Sequence, residues 1–328
     1  MSNNADISST PRGSHASRAM DFLAKWGIVL SLVILILAMS FLHPNFLSTA
    51  NITNILRQVS INGILAVGMT FVILTAGIDL SIGSVLAFCG IVAGMLVTGA
   101  DPVNPLIAVL AAMGAGALFG ATNGLLVARF SVTPFVVTLG MLSMARGLTL
   151  LLSNGRPVPG LSEGFRWIGQ GFILGVPVPV WIFLVVFLIA WITLRFTVFG
   201  RWIYAVGGNP KAARTSGIPT RTVIFSAYLI MGLLAGLAGA VLTARTTAGL
   251  PQAGIGYELD AIAAVVIGGT SLMGGVGSIA FTLVGVLIIG VIANGLDLLG
   301  VSSYYQEFVK GAIIVIAVLI DRSRNKAS

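Results

Sequence analysis

The chain has 328 residues, of which 57% are hydrophobic and only 9% charged. A soluble domain carries about 25% charged residues and could not keep so much apolar surface from water, so the composition fits a lipid environment. The formal net charge of +8 is spread between apolar runs, which argues against nucleic acid as a partner, and the single cysteine, Cys89, excludes an internal disulfide or a multi-cysteine metal site.

In chain order, residues 1–26 read as a polar, largely disordered cytoplasmic segment rich in Ser and Asn. Lys25 leads into the apolar run Gly27–Leu42, which is followed by His43-Pro44-Asn45 and no small-residue cleavage site, so it reads as an uncleaved first span. Nine further spans are predicted at 61–78, 82–99, 105–128, 134–152, 178–195, 223–244, 259–274, 277–296 and 304–320. Each is near the roughly 20 residues a spanning helix needs. Glycine interrupts the second, third and eighth. Residues 27–320 therefore form one all-α polytopic membrane domain of about ten transmembrane helices, with 321–328 as a cytoplasmic tail. Continuous apolar runs of this length exclude an outer-membrane barrel.

The basic residues set the orientation. Arg12, Arg18, Lys25, Arg129, Arg195, Arg201, Lys211, Arg214, Arg221, Arg322, Arg324 and Lys326, twelve of the 18, fall on one side. The positive-inside rule makes that side, with both termini, cytoplasmic. The outer face receives 43–60, 153–177 and 245–258. Within the spans, Gly116, Gly120 and Gly124 form one ladder at helical spacing and Gly232 and Gly236 another, a pattern that lets two helix backbones approach closely.

Catalytic signals are missing. His15 and His43 have no partner at metal-ligand spacing, and no HExxH, CxxC or GxSxG occurs. Without a GxxxxGK[ST] loop the chain has no P-loop site for ATP. Gly275–Ala280 fits a dinucleotide fingerprint on paper but lies between two spans with no βαβ unit around it. No cofactor is expected in this chain.

Three polar interruptions carry the functional reading. The first, Gly77–Ser84, puts Asp79 and Ser81 in a break between the second and third spans. It is either a turn that caps the next helix or irregular backbone beside a water-filled path. The second runs from Gly256 to Gly275. Glu258 and Asp260 precede a span, where they cap a helix at the interface or act within the membrane, and a glycine-rich break with Thr270 follows it. The third lies in the cytoplasmic loop 196–222. Asn209 suits an N-cap, Pro210 the first helical position and Gly217 a left-handed terminator, with Pro219 blocking continuation. A helix of about seven residues over 209–216 is predicted; it is below the roughly 12 residues at which an isolated helix becomes stable, so something should pack on it. Ala212 and Ala213 offer a small face, and Lys211 and Arg214 sit three apart, able to meet acids on a partner.

These segments, GIDLSIGS (77–84), GNPKAARTSGI (208–218) and GYELDAIAAVVIGGTSLMGG (256–275), resemble the signatures of the ribose-type permeases of bacterial ABC importers, and the likeness continues to Gly300–Gln306. The resemblance implies a permease subunit in the bacterial inner membrane, working as two copies. It implies a separate cytoplasmic ATPase that binds the ATP and Mg, and a periplasmic binding protein that delivers the sugar. It also implies a ten-span architecture similar to the vitamin B12 importer, with the helix formed by Asn209, Pro210, Lys211, Ala212, Ala213 and Arg214, ended by Gly217, docking on the ATPase. Permeases for xylose, arabinose, galactose, autoinducer-2, inositol, nucleosides and branched amino acids leave the solute open. Sugar hydroxyls pair with neutral donors and acceptors, so Asn62, Ser81, Asn123, Thr270 and Asn294, with the acids Asp79, Glu258 and Asp260, are the candidate path residues. An ion-coupled secondary transporter is the rival reading; Arg146, Arg245, Asp297, Glu307 and Lys310 read instead as interface or buried-pair charges.

Overall fold

The structure, a computed structural model, describes residues 15–327; of the segment 1–26, expected to be largely disordered, residues 1–14 lie outside the described residues and 15–26 are helical. The elements in order are α1 (His15–Leu42), α2 (Thr49–Leu74), α3 (Ile82–Leu96), α4 (Pro105–Ala128), α5 (Pro134–Ser153) and α6 (Glu163–Gln170). A hairpin, β1 (Phe172–Ile173) and β2 (Val176–Pro177), leads to α7 (Val178–Phe196), α8 (Val198–Gly208), α9 (Pro210–Thr215) and α10 (Thr220–Thr246). The chain ends with α11 (Tyr257–Ile267), α12 (Ile279–Leu298) and α13 (Ser303–Ala327).

Local caps set several of these starts. Ser48 Oγ accepts from Asn51 N at 3.3 Å and opens α2. Asn104 Oδ1 accepts from Leu106 N at 2.9 Å, with Pro105 in the first turn of α4. Each cap satisfies an amide that has no partner inside its helix.

Among the described residues, α2, α4, α5, α7, α10 and α12 are each long and apolar enough to cross a membrane. Trp26–Leu42 and α3 are shorter apolar stretches. At 15 residues α3 is about 22 Å long, and the 11-residue α11 only about 16 Å, against about 30 Å of hydrocarbon. The span expected at 61–78 belongs to a helix that starts earlier, at Thr49, because Ser48 caps it while its first turns carry Asn51, Asn54 and Arg57. The stretch expected to run as one span from 259 to 274 stops being helical at Ile267, and 268–278 is irregular.

The core forms around α2 and α10. Every residue of α2 from Val59 to Leu74 is buried, as befits a helix that is apolar on all sides and ringed by others. The two glycine ladders turn out to face each other. A Cβ on Gly116 would strike the Gly232 carbonyl, one on Gly120 the Tyr228 carbonyl, and one on Gly236 the Ala112 carbonyl. Helices α4 and α10 therefore touch backbone to backbone along most of their lengths. Outward, α4, α5 and α7 present large apolar side chains such as Leu110, Leu118, Leu139, Leu148, Leu184 and Leu188, the surface a helix shows to lipid.

Candidate functional site

Two of the polar interruptions meet inside the bundle. After α2 the chain breaks at Thr75, turns through Ala76 at φ +59°, and restarts as α3 at Ile82. Asp79 Oδ1 accepts from Ser81 N at 2.9 Å and from Ser81 Oγ at 2.6 Å. Asn123, on α4, donates to Ser81 Oγ at 3.0 Å and makes a longer 3.4 Å contact to Asp79 Oδ2. Asp79, Ser81 and Asn123 are 2%, 1% and 1% exposed, so the three form a buried polar cluster with no cation paired to it among the described residues. The Asp79 side chain makes the turn, while Ser81 stands at the N-cap without a side-chain capping bond. Among the described residues Asn123 Oδ1 has no hydrogen-bond partner.

The second interruption approaches from the opposite end of the bundle. After α10 the chain turns back at Thr247, pairs Gly249 with Val158, and descends to lay Gly254 against Gly83 at the start of α3. The contact is backbone on backbone, since a Cβ on either glycine would strike the other's carbonyl. From there α11 begins at Tyr257, so two helix N-termini lie side by side within the bundle. Each presents the positive end of its dipole, which favours the acids of α11's first turn, Glu258 and Asp260. Asp260 is 5% exposed, and its Oδ2 pairs with Lys310 Nζ of α13 at 2.9 Å. Arg146 of α5 donates through Nη1 to the carbonyls of Pro251 (2.5 Å) and Ala253 (3.1 Å), which fixes the descending segment.

Beyond α11, Gly269, Gly274 and Gly275 all have positive φ, and the loop carries Thr270, fully buried with no partner for its Oγ1 among the described residues. The loop closes against two other elements. Gly275 N donates to Leu74 O at 3.0 Å, and a Cβ on Gly207, in the last turn of α8, would strike both that carbonyl and Gly275 N. Tyr204 of α8 donates to Gly277 O at 3.2 Å. The ends of α2 and α8 and the 268–278 loop thus form one three-backbone junction.

The loop between α7 and α10 holds two helices rather than one. Sequence reasoning did not find α8, although Thr197, whose Oγ1 accepts from Gly200 N at 3.1 Å, is a recognisable cap. The second, α9, is six residues, with Asn209 Oδ1 accepting from Ala212 N at 3.0 Å, Pro210 leading and Gly217 at φ +82°. Lys211, Ala212 and Arg214 are exposed, but Ala213 is 5% exposed and packs against its own chain. This corrects the shared small face expected of Ala212 and Ala213: on a helix, neighbours point about 100° apart, and only Ala212 points outward.

The remaining sequence candidates lie apart. Asn294 on α12 exchanges two amide bonds with Asn51 at the start of α2, at 2.8 and 2.9 Å. Asn62 is buried on α2, and its Oδ1 lacks a partner among the described residues. Sequence reasoning also missed Arg57, whose Nη2 donates to Gln170 O at 2.6 Å and whose guanidinium lies 5.0 Å from the Phe172 ring centroid. Among the described residues no three His, Cys, Asp or Glu side chains group to hold a metal ion.

A family model described as the permease component of branched-chain amino acid transport systems matches residues 51–318. The ribose import permease protein of Bacillus subtilis (strain 168) is 52% identical over 306 residues, covering 92% of this chain and 94% of that protein. Its namesake in Escherichia coli (strain K12) is 52% identical over 300 residues, covering 90% and 93%. The one from Haemophilus influenzae is 47% identical over 304 residues, covering 92% and 94%. No solved structure matches the chain.

Proposed function

The chain belongs to the family of permease components of branched-chain amino acid transport systems, and on that premise we propose that it is the membrane subunit of an ATP-driven importer of ribose. One observation carries the choice of solute: 52% identity along nine-tenths of the chain to the ribose import permeases of Bacillus subtilis and Escherichia coli. In this reading a periplasmic binding protein delivers the sugar, and a separate cytoplasmic ATPase binds ATP and Mg and supplies the energy. The permease works as two copies in the inner membrane. Each copy has ten spans, α1–α5, α7 and α10–α13, in an arrangement like that of the vitamin B12 importer, with both termini cytoplasmic.

Within that assembly α9 is the ATPase contact. It is short, capped at both ends, and shows Lys211, Ala212 and Arg214 to the cytoplasm. The path for the sugar runs past the paired starts of α3 and α11. There the buried Asp79–Ser81–Asn123 cluster and the Glu258 and Asp260 side chains bring polar groups together, and the Thr270 loop follows at the far end of α11. Neutral oxygens and amides suit sugar hydroxyls, each of which both donates and accepts.

The test is ribose uptake by cells lacking their own ribose permease and supplied with this chain, its ATPase and its binding protein. Uptake should stop when ATP is depleted and survive an uncoupler. Uptake that survives ATP depletion and fails with the uncoupler would establish ion coupling instead.

A further inference from the structure

Between α6 and α7 the chain makes a hairpin whose tip is apolar, exposed and set in backbone that apolar side chains avoid. Ile173 pairs with Val176, leaving Leu174-Gly175 as a two-residue turn with φ of +52° and +77°. Two positive φ values in such a turn are the type I′ pattern, filled chiefly by Asn-Gly or Asp-Gly. Leucine is disfavoured there, because the left-handed backbone drives its Cβ towards the following carbonyl. Yet Leu174 is 90% exposed, Phe172 51% and Ile173 39%. Neither backbone preference nor packing within the chain accounts for this residue at this position.

The hairpin is held firmly. Arg57 stacks on Phe172 from α2, and Trp181 Nε1 donates to Ile173 O at 3.2 Å. Through Trp181 the edge leads to α7, whose exposed Trp181, Leu184, Val185 and Leu188 run along a helix long enough to cross a bilayer. Trp167 on α6, half exposed, stands beside it. Indole rings with an apolar body and a polar N–H collect at the boundary between headgroups and hydrocarbon.

We propose that the β1–β2 hairpin is an interfacial anchor, its Phe172-Ile173-Leu174 tip seated in outer-leaflet lipid at the headgroup–acyl boundary, continuous with the lipid face of α7. A Leu at the tip then gains in lipid what it loses in backbone conformation, which an Asn could not do. The anchor sets the height of α6 and α7 in the bilayer. The proposal rests on the membrane orientation given above but not on the identity of the solute, so ribose transport and anchoring fail or succeed separately.

The test places a bimane label on a cysteine at Leu174 and, as an aqueous reference, at Asp101 in the turn before α4; the native Cys89 is buried. The labelled chain goes into nanodiscs of phosphatidylcholine and phosphatidylglycerol, with lipids brominated near the carbonyl end. Bromolipid should quench the Leu174 label severalfold more than the Asp101 label, iodide should quench it less, and added binding protein should change neither. Equal iodide quenching at both positions, or shielding that appears only with the binding protein, would overturn the proposal and make the tip a protein-docking knob. Should L174C fail to fold, the label at Ile173 answers the same question. L174N, which suits the positive φ, should keep the detergent-state melting temperature, and a label at Ile173 in that background should lose part of its lipid quenching.

Discussion

Helices α4 and α10 are pressed together so closely that a single methyl group becomes a wedge. A Cβ on Gly232 would meet the Gly116 carbonyl and lie 2.8 Å from both N and Cα of Gly120. Relaxed carbon contacts lie at about 3.5 Å, so the Gly120 contacts alone require the helices to part by about 0.7 Å to admit G232A, and the nearer Gly116 carbonyl requires more. The atoms in the way are helical backbone, which has no rotamer to move into. Overpacking of this kind costs about 1–3 kcal/mol. G116A faces the same seam from the other side and should cost a similar amount. Once the seam has opened for one methyl it already has room for the other, so the double variant should fall short of the sum of the singles by about 1 kcal/mol or more. G114A is the control: nothing lies within 4 Å of its Cβ, so it should be neutral or gain up to about 1 kcal/mol of helix propensity. The assay is unfolding of the detergent-purified chain, followed by size-exclusion of the surviving fraction. Strict additivity, or single variants as stable as the wild type, would refute the backbone-contact account.

Other outcomes follow from the loops and the buried pair. A212W should insert and fold yet lose co-purification with the ATPase, whereas A213W, at a buried position, should destabilise the chain itself; the reverse pattern would mean α9 is turned the other way. N209A removes a cap worth about 1 kcal/mol, and G217V forces a β-branched residue to φ +82°, so both should weaken sugar-stimulated ATP hydrolysis, read in proteoliposomes. D260N strands the Lys310 ammonium; because its side chain is 27% exposed, the loss should be about 1–3 kcal/mol rather than the 3–5 of a fully buried pair, and K310M in the same chain should recover much of it in unfolding measurements. Reporter fusions after Met20 and Lys326 should both read cytoplasmic, and a periplasmic signal at either end would break the ten-span topology.

What could be read from the sequence was local. Asn209, Pro210 and Gly217 act on amides two or three residues away, so the ends of α9 were legible almost to the residue. The glycine ladders were legible as ladders, but their pairing was not, since Gly116 meets Gly232 only after the chain has crossed the bundle several times. The same distance hid the bonds from Arg146 to Pro251 and Ala253, and the placing of α11 beside α3. Hydropathy misjudged α2, because Asn51, Asn54 and Arg57 look like loop residues. They are helical because their side chains reach tertiary partners, namely Phe46 and Asn294, Arg245, and Gln170 with Phe172. It also ran the eighth span through 268–274, where Gly269 and Gly274 take positive φ on either side of Thr270-Ser271-Leu272-Met273 and turn the chain instead.

The junction of Leu74, Gly207 and Gly275 has a mechanical consequence. Side chains between two elements act as springs, since each can change rotamer and absorb a displacement. Here there are none, and a carbonyl, an amide and a Cα touch directly. A push delivered to α9 would pass through α8 to Gly207 and reach the end of α2 and the 268–278 loop with little lost on the way. The give lies one step further on, at Gly269 and Gly274, whose φ values lie where only glycine moves freely. Stiffness at the contact and compliance just behind it are the properties of a push-rod bearing on a hinge.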